Sequence, residues 1–195
     1  MAGNVATLEG FEALSDWGAD SIRVGIGGGS ICSTRLVSGH GVPTLASIMD
    51  CAQTTSDTKI IADGGIKTTG DMVKALAAGA DFVMVGSMLA GTKESPGDVF
   101  KNTDGKQYKV YRGMASSAAQ NDWRGKSTTP EGISTTVSYK GSVDKILADV
   151  DGGIKSGLSY SGAKTVKELQ AKSQFIIQTV AGQSESFTHI LARNK

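Results

Sequence analysis

The chain has 195 residues, enough for one domain with a sizeable core. Charged residues make up 20% and balance to a formal +1, which argues against the basic face that nucleic acid requires. Two cysteines, Cys32 and Cys51, are too few for a disulfide framework, and neither lies in a metal-type CxxC.

Met1 to Ala6 reads as a strand end running into a loop, and Leu8 to Trp17 as a helix with Phe11, Leu14 and Trp17 on one face. Ile22 to Ile26 is an apolar run suited to a buried parallel strand, and it stops in a burst of glycine before Cys32. Glycines at a strand end allow positive φ and let an anion approach the amides. A cysteine there is held in an exposed turn among dipoles that favour negative charge on sulfur. A tight turn with a half-buried thiol is the plainer reading of such a loop alone. Val42-Pro43 breaks the chain. A helix from Thr44 to Gln53 then turns Leu45, Ile48, Met49 and Ala52 inward and carries Cys51 as a structural thiol.

Lys59 to Ala62 is the next strand, ending in Asp63-Gly-Gly65. A helix from Thr69 lines Met72, Val73, Leu76 and Ala77 on its apolar face and closes at Gly79. Phe82 to Val85 is a strand ending in Gly86-Ser87. This βα alternation, with chemistry-bearing residues after each strand, predicts a parallel sheet with its site at the strand C-termini. Beyond Glu94 the pattern changes. Gln107 to Arg112 alternates as a β-ribbon, Ala115 to Pro130 reads as a mobile loop or flap, and Ser142 to Ser156 reads as a helix with Val143, Ile146, Leu147 and Val150 on one side. Val166 to Ala171 is a short helix, and Phe175-Ile-Ile177 is a last strand. No signal-peptide pattern or apolar run of membrane length is visible, so a cytoplasmic location is the default expectation.

Gly25-Ile-Gly-Gly-Gly-Ser-Ile-Cys-Ser-Thr-Arg35 resembles the catalytic loop of the IMP dehydrogenase/GMP reductase family, with Gly28 where that family usually has proline and a looser loop therefore expected. Ala62-Asp-Gly-Gly-Ile66, Val85-Gly-Ser-Met-Leu-Ala-Gly91, Tyr111-Arg-Gly-Met114, Pro130-Glu-Gly132 and Tyr139-Lys-Gly141 resemble further family segments, in family order. The likeness runs from about Ala2 to about Ile190. It implies an α/β fold: the second half of a (β/α)8 TIM barrel with a small β-ribbon and a flap at about 115–130, all within one catalytic domain spanning 1–195. A half-barrel would expose sheet edges. The expectation is therefore a fragment, one piece of a split gene, or a half that pairs with a complementary chain or with itself, the family's members being tetramers.

The resemblance also implies chemistry. Cys32 attacks C2 of a purine nucleotide, a step that suits a thiolate. The Thr34 hydroxyl assists water or ammonia. Glu131 meets the N1 and O6 edge of the purine. Asp63 accepts both ribose hydroxyls. Ser30, Gly65, Gly86 and Ser87 cradle the phosphate, and Tyr111, Gly113 and Met114 contact phosphate and base. The carbonyls of Gly27, Gly29 and Cys32, with Glu185 and Ser186 of a neighbouring subunit, match a K⁺ site. His40 and His189 are left as structural. Two reactions are open: NADPH-dependent reduction of GMP to IMP, and oxidation of IMP to XMP with NAD. The flap has only sixteen residues between Met114 and Glu131 and lacks an Arg-Tyr pair, which inclines the reading to GMP reductase. Val85 to Gly97 and Gln183 to Ser186 look more like bacterial dehydrogenases, and Arg124 as a replacement base would reverse the preference. A nucleotide-binding half-barrel, inactive alone, is the third possibility.

Overall fold

The computed structural model describes residues 1–186. Four short strands, β1 (Ala2–Val5), β2 (Ser21–Val24), β3 (Lys59–Asp63) and β4 (Phe82–Met84), form a parallel sheet in that order. Ile22 of β2 lies opposite Ile60, and Ala62 opposite Val83, so the strand C-termini end level with one another. Between the strands run α1 (Leu8–Asp16), the four-residue α2 (Thr34–Val37), α3 (Thr44–Cys51) and α4 (Thr69–Ala77).

The alternation of β2 and β3 sends Ile22, Val24, Ile60 and Ala62 toward the helices, where they meet Phe11, Ile48, Cys51, Met72 and Ala75 in the main core. Cys51 is fully buried, as expected of a structural thiol. Loss of solvent pushes its thiol from an ordinary 9.0 up to about 11, with the negative charge of Asp50 adding to the effect. The helix faces differ in part from the sequence expectation. Trp17 is 80% exposed at the end of α1, and Met49 and Ala52 turn outward, with Ser47 and Cys51 taking the buried face of α3.

The α4 helix starts with a complete capping box between Thr68 and Asp71. Its outer face meets α6 (Asp144–Tyr160) and α7 (Val166–Lys172). Close approach to α6 is possible because a Cβ on Gly157 would come within 2.6 Å of Val73. Leu76, Ala163 and Leu169 make a second, smaller core beside α4. On α6, Val150 packs against the main core while Leu147 is half exposed.

After β4 the chain forms a separate antiparallel sheet of β5 (Phe100–Lys101), β6 (Gln107–Arg112) and β7 (Ser134–Ser138). The flap between β6 and β7 is not a plain loop, for it contains α5 (Ser117–Arg124). Ser116 caps that helix and Gly125 ends it at φ +70°. Buried Gln120 donates to the Ala115 carbonyl and accepts from the Thr128 amide, which ties down the far side of the flap. The expected strand at Phe175-Ile-Ile177 is absent: these residues are irregular and Ile177 is fully exposed. A last short helix, α8 (Val180–Glu185), ends the described residues, and His189 lies outside them. Among the described residues no helix is long and apolar enough to cross a membrane.

Candidate active site

The loop after β2 turns sharply under the ends of the neighbouring strands. Gly25 has φ +141°, and a Cβ there would strike the Asp63 carbonyl, so this position requires glycine. Gly28, expected to loosen the loop, instead fits closely against the next strand's turn. A Cβ at Gly28 would come within 3.2 Å of Gly64, and one at Gly64 within 3.1 Å of Gly28.

Cys32 is exposed, and its Sγ lies 3.2 Å from the Thr34 hydroxyl. One segment distant in sequence holds this loop. Ser33 N donates to Glu131 O at 2.9 Å, and Ile133 N donates to Ile31 O at 3.0 Å. On its other side the same segment bonds the turn after β6: Glu131 N donates to Ala115 O, and Gly113 N to Ile133 O. Gly132 sits where the three strands of chain meet, and a Cβ there would lie 3.2 Å from Ser116 N. Cys32, Glu131, Gly113 and Met114 are thus brought together by backbone pairing.

A cleft of about 640 Å³ opens over this junction. It is lined by Ser30, Cys32, Thr34, Asp63, Gly65, Gly86, Ser87, Tyr111, Gly113, Met114 and Glu131, which are all the residues expected to bind or transform a nucleotide. Tyr111 points its phenol toward Gly86, where an added Cβ would lie 3.0 Å from the hydroxyl. Burial raises the pKa of that phenol, so it stays a donor at neutral pH. The expected cation site joins the Gly27, Gly29 and Cys32 carbonyls to Glu185 and Ser186 of a neighbouring subunit, so a single chain does not assemble it. Gly29 O accepts from Cys32 N at 3.1 Å, while Ser186 bonds to Gln178 and Gly182 within its own segment. Among the described residues no three His, Cys, Asp or Glu side chains cluster as a metal site.

Two residues of the site escaped the sequence reading. Arg23 Nη2 pairs with Asp63 Oδ2 at 2.7 Å, and Asn4 Nδ2 donates to the same oxygen at 2.8 Å. With Oδ2 doubly engaged, Oδ1 is the freer acceptor toward the cleft. Among the described residues Arg23 Nε is buried without a hydrogen-bond partner, and Arg23 lines the cleft. The only signal in the sequence is a lone arginine inside an apolar strand, which is costly to half-bury unless paired. Arg124 also lines the cleft, its guanidinium 4.8 Å from the Trp123 ring centre.

A family model described as the IMP dehydrogenase / GMP reductase domain matches residues 1–189. An inosine-5'-monophosphate dehydrogenase of Nitrosopumilus maritimus is 49% identical over 203 residues, covering 97% of this chain and 42% of that protein. A GMP reductase of Leishmania major is 45% identical over 205 residues, covering 99% of this chain and 42% of that protein. In fold, a GMP reductase variant of Trypanosoma brucei, solved in complex with guanosine 5'-monophosphate, superposes with a TM-score of 0.91 at 46% identity, covering 96% of this chain and 40% of that one. The chain therefore spans about two fifths of the length of these relatives.

Proposed function

The chain belongs to the IMP dehydrogenase/GMP reductase family, and from that premise we propose that it supplies the nucleophile and the nucleotide-binding side of an NAD(P)-dependent oxidoreductase acting at C2 of a purine nucleotide. Its four parallel strands and their helices are read as the second half of a (β/α)8 barrel. On this reading residues 1–195 are one catalytic domain, working in a homo-oligomer or beside a complementary half. The observation that carries the proposal is the single cleft in which the exposed Cys32, Glu131, Asp63 and the Gly86-Ser87 turn converge.

IMP is the preferred substrate, with XMP as product. This departs from the preference that the short flap suggested. The dehydrogenase relative is the more similar of the two compared, at 49% against 45%, and Arg124 of the flap lines the same cleft as Cys32. GMP reduction is the second reading, favoured by the sixteen-residue flap and by the likeness to the GMP-bound reductase structure.

In either direction the Cys32 thiolate forms a bond to C2 of the base. Bound nicotinamide would supply the hydride acceptor for IMP, or the donor for GMP. Among the described residues Arg23 Nε–H lacks a partner, and turned toward the cleft it would be a donor for a carboxamide or phosphate oxygen. Asp63 Oδ1 holds a ribose hydroxyl, with Arg23 and Asn4 fixing its carboxylate. Tyr111, Ser87 and the amides of Gly65 and Gly86 take the phosphate. Glu131 faces the N1 and O6 edge, and Met114 presents its backbone to the base. After oxidation of IMP, the Cys32–C2 thioimidate is hydrolysed by water that Thr34 orients and Arg124 deprotonates. In the reductase direction, the amine leaves as ammonia after Glu131 assists its protonation, and once C2 has gained hydride the C2–sulfur bond breaks to return the Cys32 thiolate and free IMP. A K⁺ ion would use the carbonyls of Gly27, Gly29 and Cys32. Gly29 O, although bonded to Cys32 N, retains a second lone pair.

The test is nicotinamide absorbance with two mixtures: IMP and NAD with K⁺, and GMP with NADPH. Growth of the reduced-nicotinamide band in the first, lost in Cys32→Ala, is expected. Decay of that band in the second mixture alone makes the protein a reductase. No change in either, with nucleotide still bound, leaves it a binding half-barrel.

A further inference from the structure

We infer that Lys140 is a positioning residue for the phosphate turn, setting the protein's preference for a 5'-phosphorylated nucleotide over the bare nucleoside; this rests on the reading of Gly86-Ser87 as the phosphate site. Lys140 follows β7 on the antiparallel sheet and is far from the turn in sequence. Its Nζ nonetheless donates to both the Ser87 and the Met88 carbonyls, each at 2.9 Å. The main chain is fastened at the same place, with Lys140 N donating to Gly91 O at 2.8 Å and Lys93 N to Gly141 O at 2.7 Å.

These contacts have two effects. By drawing the carbonyls of Ser87 and Met88 to one side, the ammonium fixes the orientation of the peptide planes of the turn. It also brings positive charge beside the turn. Among the described residues no carboxylate pairs with Lys140, so no ion pair neutralises this charge beside the turn. Partial loss of solvent lowers the Lys140 pKa, which fits an ammonium lodged against the backbone rather than one free in water. The sheet that carries Lys140 also carries Tyr111, whose hydroxyl reaches Gly86. The antiparallel sheet thereby holds the turn from two sides.

The experiment is calorimetric titration of the full chain with IMP and with inosine, for wild type, Lys140→Gln and Lys140→Arg. Glutamine is one atom shorter and uncharged, so it loses both the grip on the two carbonyls and the positive charge, and unchanged inosine binding checks that the rest of the site is intact. Lys140→Gln is expected to weaken IMP about tenfold, as loss of one charged hydrogen-bonding group does, and to leave inosine unchanged. Lys140→Arg is expected to restore IMP binding, and added salt to weaken IMP less in Lys140→Gln than in wild type. Equal weakening of both ligands would reveal a merely structural residue, and unchanged IMP binding in Lys140→Gln would overturn the inference alone. A wild type that binds inosine as well as IMP would overturn the phosphate site and the inference together.

Discussion

Cys32 lies exposed within 3.2 Å of the Thr34 hydroxyl, whereas Cys51 has no exposed surface. A thiol reagent should therefore modify one cysteine in the folded protein, and Cys51 should react only on unfolding, which mass spectrometry of the labelled peptides would check. The raised Cys51 pKa carries a stability consequence. The folded state keeps the proton where the unfolded chain releases it, so this contribution is fully present below 9.0 and is lost as pH rises from 9.0 to about 11. Thermal melts across that range should show a falling Tm, with a shallower fall in Cys51→Ala. At the site itself, if GMP is reduced, Glu131→Gln should still bind GMP and lower kcat for its reduction by about 10²–10⁴, the usual contribution of a general acid or base. An undiminished kcat would remove Glu131 from the chemistry.

The elements differ in how plainly the sequence announces them. The strands β2 and β3 and the helix α4 were legible because burial against a core writes an apolar pattern. By contrast, α5 has little such pattern. It is held by the Ser116 cap and by hydrogen bonds of Gln120, which residue types alone do not reveal. The polar strand β7 is stabilised by pairing with β6 and stays largely exposed, so it also writes no pattern. The opposite error occurs at Phe175-Ile-Ile177, where a β-branched apolar run has strand propensity but no pairing partner among the described residues. The cleft residues were found through motifs, while Asn4 and Arg23 needed the strand register to reach Asp63. Two changes test the flap. Ser116→Ala should cost about 1 kcal/mol through loss of the cap. Gly132→Val should cost about 1–3 kcal/mol by crowding Ser116 N and Ile31 O. Only Gly132→Val should also sharply reduce turnover, because it parts Cys32 from Glu131.

The whole molecule divides its tasks. The parallel sheet and its helices hold the main core, while the antiparallel sheet contributes Tyr111 to the cleft, the loop before β7 contributes Glu131, and Lys140 beyond β7 braces the Ser87 turn. Phe11→Ala should thus destabilise the molecule by about 3–5 kcal/mol, a large share of what a domain of this size has; denaturant titration would measure it. The pairing of Cys32 with Gly132 spans a hundred positions of chain. On a ribosome adding about 5–20 residues per second, the cysteine is made seconds before the segment that completes its surroundings.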